Sequence, residues 1–272
     1  MLRVSLFGAI IVAAATPAAA QTASNWSGLY AGGRVGYVAS PLNTRETVLF
    51  DRNLDGQFGD TVTTAAGANA FSPGFCNGVA RSGLAGDRCR TDSDGLEYAV
   101  HAGGDVQFGS LVVGGLVEYG RSDAEVSVSA FSTTPASYTL TREMRGTFGA
   151  RARVGVDVQG TLPYLTAGVV RAKVRSSFAT TNTANAFATR GDSKATGYRV
   201  GGGVERRFGP LSLGVLYLYT NVKDDDFRVD VTRGTSPATN PFVLANANGT
   251  QFRRSEDRFK THSATLTASY RF

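Results

Sequence analysis

Read in steps of two, the last fourteen residues, Phe259 to Phe272, separate into two rows. Ala264, Leu266, Ala268, Tyr270 and Phe272 are apolar, and Thr265, Thr267, Ser269 and Arg271 between them are polar. Strict alternation marks a β-strand with one face in an apolar medium and the other in a polar one. The same period recurs upstream. Leu29, Ala31, Gly33, Val35 and Tyr37 form a first outward row, with Arg34 opposite. Leu96, Tyr98, Val100, Ala102, Val106 and Phe108 form a second, against Ala99, His101, Gly103, Asp105 and Gln107. Val113, Val117 and Tyr119 oppose Glu118. Met144, Phe148, Ala150, Ala152, Val154, Val156 and Val158 oppose Arg145, Arg151, Arg153 and Asp157.

Three more strands complete the pattern. Tyr164, Val170, Ala172 and Val174 read as outward against Arg171, Lys173 and Arg175. Tyr198, Val200, Val204 and Phe208 oppose Arg199, Glu205 and Arg207, and Leu211, Leu213, Val215, Tyr217 and Tyr219 make the seventh row. Tight turns are expected at 108–111, 158–162 and 208–211, because Gly sits between apolar ends in each. Longer polar connections fall at about 39–94, up to about 141, at about 176–194 and at about 224–258. The fold class expected is all-β: an eight-stranded antiparallel transmembrane β-barrel, with short turns on the periplasmic side and long extracellular loops.

A soluble lipocalin-type barrel alternates as strictly. Aromatics at the strand ends (Tyr37, Phe108, Tyr119, Tyr164, Phe208, Tyr219 and Tyr270) and the aromatic terminus favour lipid on the outside. The leading segment agrees. Arg3 precedes an apolar run from Val4 to Ala15, and Ala18–Ala20 follow Pro17, which reads as a signal peptide over 1–20. That run is too short for a transmembrane helix. The barrel domain is then expected over 21–272, with the cell outer membrane as its location.

Composition changes the picture little. Glycine is abundant at 33 residues, and mean hydropathy is near neutral at −0.10, as expected where each strand averages an apolar and a polar face. The formal charge of +6 matters more. A basic chain first suggests nucleic acid or a membrane surface, but here the excess lies on the strands. It is expected to fill the lumen with Arg34, Arg145, Arg151, Arg153, Arg171, Lys173, Arg199 and Arg207, partly compensated by Asp105, Glu118, Asp157 and Glu205. An eight-stranded interior is just wide enough for side chains to fill, so a hydrogen-bonded plug is expected. The alternative is a narrow anion-preferring porin.

Two constellations lie in the first long loop. Asp51, Asn53, Asp55, Gln57 and Asp60, with Gly56, match the opening of a calcium loop, although Val62 stands where a bidentate Glu belongs. Calcium is therefore the one cofactor to test, against the alternative of an Asx-rich turn. Cys76 and Cys89, the two cysteines of the chain, are expected to form a disulfide in an exported loop. By chain-entropy arguments it contributes about 3 kcal/mol.

Catalysis is not expected. His101 falls on an inward row and His262 on an outward one. Ser263 points away from its neighbour His262, and the residue two positions on is Ala264 rather than Ser.

The terminal strand resembles the insertion signal of Gram-negative outer-membrane proteins, with aromatics at Tyr270 and Phe272; Thr267 stands where a Gly is common. Trp26–Ser–Gly–Leu–Tyr–Ala–Gly–Gly–Arg–Val–Gly–Tyr37 is similar to the opening strand of the OmpA-like and opacity-type barrels, in particular the porin-family surface antigens of alphaproteobacteria. The resemblance implies an integral outer-membrane protein with exposed loops. Its partners would be outer-membrane lipids, the barrel-assembly machinery through Tyr270 and Phe272, and an unidentified extracellular ligand, with no role for nucleic acid. It does not imply one biochemical activity.

Overall fold

A computed structural model describes residues 25–41, 45–92, 94–191, 194–224 and 227–272. The expected signal peptide at 1–20 lies outside the described residues. The strands, in chain order, are β1 (Gly28–Ala39), β2 (Val48–Asp51), β3 (Gly74–Asn77), β4 (Val79–Ala80), β5 (Cys89–Arg90), β6 (Gly95–Phe108), β7 (Leu111–Ser122) and β8 (Glu125–Ser132). They continue with β9 (Ala136–Val156), β10 (Thr161–Thr180), β11 (Ala186–Arg190), β12 (Lys194–Phe208), β13 (Leu211–Lys223), β14 (Arg228–Thr232), β15 (Thr250–Arg254) and β16 (Arg258–Arg271).

Eight of these, β1, β6, β7, β9, β10, β12, β13 and β16, pair antiparallel in chain order and close into a barrel. The seam is the β1–β16 ladder, from Tyr30 opposite Arg271 to Ala39 opposite His262. Closure leaves no open edge, which is the condition for crossing lipid with strands. The hairpins on one side are short. Gly109 and Gly209 take φ of 62° and 61° as the first central residues of two-residue turns. Pro210 follows Gly209 and cannot take positive φ, so that turn is of type II′. Gln159 and Gly160 both have positive φ, at 54° and 80°, as a type I′ turn requires. Trp26 and the C-terminus lie on this same side.

The outward rows carry the apolar residues: Leu29 and Leu165 are each 69% exposed, against 3% for Arg34 and 2% for Glu118 on the inward rows. Lipid, rather than water, is the medium that this surface suits.

On the other side the long connections are folded. β9 and β10 have 21 and 20 residues, about twice the 9–11 that a strand needs to cross a bilayer. Their outer halves support β8, which pairs with β9 from Glu125 opposite Glu143 to Ser132 opposite Ala136, and β3 pairs in turn with β8. A separate four-stranded sheet runs β11–β14–β15–β2. Between these layers sits an apolar core that includes Val48, Phe50, Phe71, Val128, Tyr138, Leu140, Phe242 and Phe252. The Phe50 and Phe71 rings lie 4.3 Å apart, and the Phe71–Tyr138 pair is edge-on at 5.4 Å. The extracellular part is therefore a packed β-cap. Its junction with the barrel is tied by Arg254, whose Nε and Nη2 donate to both Glu46 oxygens at 2.7 Å. Its Nη1 donates to the Val126 and Leu140 carbonyls at 2.9 and 2.8 Å.

This cap explains where the alternation misled. On β10 the expected faces are reversed: Tyr164, Val170, Ala172 and Val174 are buried inside, while Arg171, Lys173 and Arg175 are exposed on the outer wall. At Val170, Ala172 and Val174 the inward row is apolar because it meets a second core at the barrel's outer mouth, with Val38, Met144, Val222 and Phe259, whereas Tyr164, at the other end of the strand, packs inward in the Trp26 cluster and under Arg153. On β9 the register shifts by one residue opposite Lys173 and Val174. The bulge reverses the alternation at its site, so Met144 points inward and Arg145 outward. Arg145, Arg171 and Lys173 thus do not belong to the lumen.

Two outcomes follow. Phe252→Ala removes the centre of the cap core and should cost about 3–5 kcal/mol, read as faster proteolysis of the cap in intact cells while the barrel keeps its heat-modifiable gel mobility. Val154→Arg puts a charge on the lipid face and should cost about 2–4 kcal/mol near the midplane, lowering the assembled fraction. Arg171→Leu should leave assembly unchanged, and a loss there would return Arg171 to the lumen.

Candidate functional site: the barrel lumen

The inward rows meet in two charged tiers. In the outer tier Glu118 of β7 is the hub. Its carboxylate accepts from Arg199 of β12 at 2.6 Å, from Arg151 of β9 at 3.0 Å and from Arg34 of β1 at 3.3 Å. Glu97 of β6 shares two of these cations, Arg34 at 2.7 Å and Arg199 at 3.4 Å. Hydroxyls take remaining donors: Arg151 donates to Thr166 and Arg199 to Thr220, at 3.1 and 2.8 Å.

In the inner tier Arg153 bridges Asp105 and Glu205, at 2.5 and 3.0 Å, and Arg271 donates to Asp105 at 2.6 Å. The guanidinium of Arg153 lies 4.6 Å from the Tyr30 ring centroid and 5.3 Å from that of Tyr164. Arg271 lies 4.9 Å from Tyr30 on the same terms. Aromatic faces so placed supply attraction that neutral packing would not. Below this tier Trp26 is fully buried in the barrel mouth, against Val112, Leu162, Leu216 and Leu218. Its indole N–H donates to Asp157 at 3.1 Å, and its backbone N–H to Gln107 at 2.6 Å. The carbonyl of Trp26 accepts from Arg271. Arg207 stays half-buried at this same mouth, donating to the Gly209 carbonyl at 2.8 Å.

A buried ion holds its charge only when paired and fully hydrogen-bonded. The tiers meet the pairing through four carboxylates and five arginines that together come from six strands, and Arg34 Nη1 is the one guanidinium nitrogen of the set left buried without a partner among the described residues. Of these, Glu97 and Arg271 are absent from the charged set expected of the lumen. Both stand on inward rows that the period reveals, Glu97 two residues before Ala99. Trp26 has no such signal, because it precedes the first strand, and its insertion is a tertiary event.

The other candidates separate. Asp51 accepts the Asp55 and Gly56 backbone N–H groups at 3.2 and 2.9 Å, and Asp55 accepts that of Gln57 at 2.8 Å and the Asn53 amide at 2.9 Å. These bonds hold the Asp55 carboxyl below the usual carboxylate range, the Gln57 contact first. Asp60 turns to the Arg52 N–H at 3.0 Å. The segment is a network of Asx turns. Among the described residues no three acidic, His or Cys side chains converge as a metal site. Cys76 and Cys89 are bonded, with Cα atoms 6.0 Å apart, joining β3 to β5 within the cap. His101 meets Ser269 at 2.8 Å inside the lumen. His262 lies on the outer wall with Tyr217 Oη 2.5 Å from its Nδ1, and Ser263 is buried on the opposite face.

Glu118→Ala leaves Arg151 without a carboxylate and Arg34 and Arg199 sharing Glu97 alone, and should cost about 3–5 kcal/mol, seen as a lower unfolding midpoint in urea. Glu118→Gln keeps one acceptor oxygen and the side-chain volume, and should cost less. Equal stability of wild type and Glu118→Ala would remove the hub from the account.

Three solved structures are among those similar to the chain. Neisserial surface protein A is 12% identical, with a TM-score of 0.37 over 90% of this chain and 98% of that one. The outer membrane protease OmpT of Escherichia coli is 10% identical, with a TM-score of 0.41 over 92% of this chain and 99% of that one. The translocator domain of the autotransporter NalP of Neisseria meningitidis is 12% identical, with a TM-score of 0.25 over 90% and 89%. No curated protein sequence matches. A family profile described as outer membrane protein beta-barrel domain matches residues 8–272. With that match spanning the described barrel and its cap, the chain belongs to the outer membrane protein beta-barrel domain family, and its place is the outer membrane.

Proposed function

We propose that the lumen is closed and that the protein acts through its folded cap, as a structural or surface-interacting element of the outer membrane rather than as an enzyme or a pore. The observation that carries this is the sharing of Glu118 by Arg34, Arg151 and Arg199, which come from three other strands across the lumen. A solute would have to break several buried charge-assisted bonds at once, each stronger than a neutral hydrogen bond. Trp26 below and the Met144–Phe259 core above add apolar layers to the same path. The cap is the part of the protein with surface to offer a partner outside the cell, and Cys76–Cys89 constrains it there.

A second reading, a narrow anion-preferring porin, is favoured by the same network, since five arginines face four carboxylates. Planar-bilayer recording of the refolded chain separates the two. The closed barrel should give no resolvable single-channel steps at physiological salt. Stable steps with anion selectivity from the wild-type protein would replace this proposal with the second reading.

A further inference from the structure

The reversed faces of β10 place cations where a lumen account has no use for them. Its outward row reads Leu165, Ala167 and Val169, then Arg171, Lys173 and Arg175. Register fixes the level at which the change occurs. Tyr119 of β7 pairs with Phe148 of β9, and Phe148 with Arg171 of β10, so an aromatic, an aromatic and a cation stand side by side on the wall. Below them, Val117, Ala150 and Val169 continue the apolar surface. Above them, a cleft of about 640 Å³ opens between the barrel wall and the cap strand β11.

That cleft is lined by Arg121, Arg145, Lys173, Arg175 and Arg190, beside Tyr119. Two carboxylates reach it: Glu143 pairs with Arg145 at 2.9 Å, and Asp230 pairs with Arg190. Among the described residues no carboxylate lies within ion-pair distance of Lys173 or Arg175, and both are exposed. Like charges gathered at this density repel, and a bound anion offsets the repulsion that Glu143 and Asp230 leave. The position narrows which anion. Cations on a barrel's lipid face are costly at the midplane and nearly free at the interface, and the interface is where lipid phosphates lie. Guanidinium forks such as that of Arg175 suit a phosphate bidentately.

We propose that this cleft binds the phosphates of an outer-leaflet glycolipid, with the acyl chains lying down the wall over Phe148, Val117 and Val169. The aromatic pair marks the boundary between the two parts of the ligand. The site needs neither an open nor a closed lumen, so it stands apart from the pore question.

The test uses the full chain in a phosphate-free maltoside detergent, titrated with diphosphoryl lipid A and read by native mass spectrometry. Wild-type protein should bind it at least about tenfold more tightly than the same lipid lacking both phosphates, a difference one charge-assisted pair can supply. Lys173→Gln/Arg175→Gln should erase most of that difference. Arg206→Gln, an outward base at the opposite end of the barrel, should not change it. Heat-modifiable mobility confirms that each variant is assembled, and the single Arg175→Gln change serves if the double variant does not assemble. Equal binding of both lipids, or equal binding by wild type and the assembled variant, overturns the proposal. Competition by millimolar inorganic phosphate as effective as that by lipid would also overturn it, leaving a small-anion site.

Discussion

A strand surrounded by lipid has no water to satisfy its N–H and C=O groups, so the ladder must close on itself. Everything else in this protein hangs on the seam between β1 and β16. With Tyr30 opposite Arg271 and Val35 opposite Leu266 the ring closes, and the registers of the other ladders must sum to the stagger that this closure requires. Those registers set which inward side chains share a level. Glu118 can serve Arg34, Arg151 and Arg199 only because β7, β1, β9 and β12 present them at one height. A slip of one residue in any ladder would send these charges to the lipid face.

The polarity of the wall is not uniform along the barrel. Through the membrane the outside is apolar and the inside charged. Beyond the bilayer the same strands invert: Met144, Val170, Val174 and Phe259 are packed inside, and Arg171, Lys173 and Arg175 stand outside. The surrounding medium changes from hydrocarbon to water, and the apolar row must change sides to stay out of water. β9 changes phase at a single bulge near Arg145, whereas β10 keeps its phase and changes composition instead. The barrel thus passes into the cap without a hinge, and Arg254 with Glu46 pins the junction.

Family membership fixes fold and location and leaves the activity to the site. In this chain the parts with chemistry to offer are the charged lumen, the cap, and the basic cleft where the cap meets the wall. They adjoin one set of barrel strands, yet the lumen charges are paired with one another while the cleft cations Lys173 and Arg175 are exposed to the outside.

The period-two pattern by itself determined the eight barrel strands, their order, the three tight turns and the face of nearly every residue on β1, β6, β7, β12, β13 and β16, because lipid and lumen impose opposite demands on alternate positions. It also identified Arg34, Asp105, Glu118, Arg151, Arg153, Arg199 and Glu205 as residues of one inward set. Tertiary structure decided the rest. Alternation has no sign of its own: on β10 a row ending in Arg171, Lys173 and Arg175 reads as lumen if the strand is taken to lie wholly in the membrane. Only the cap shows that it does not. The long connections looked like polar loops because their apolar residues, such as Phe50, Phe71, Phe242 and Phe252, are far apart in sequence and meet only when four segments fold together. Trp26 enters the mouth for the same reason: the groups that receive it, Asp157, Gln107 and Arg271, come from positions that the chain brings together only by closing the ring.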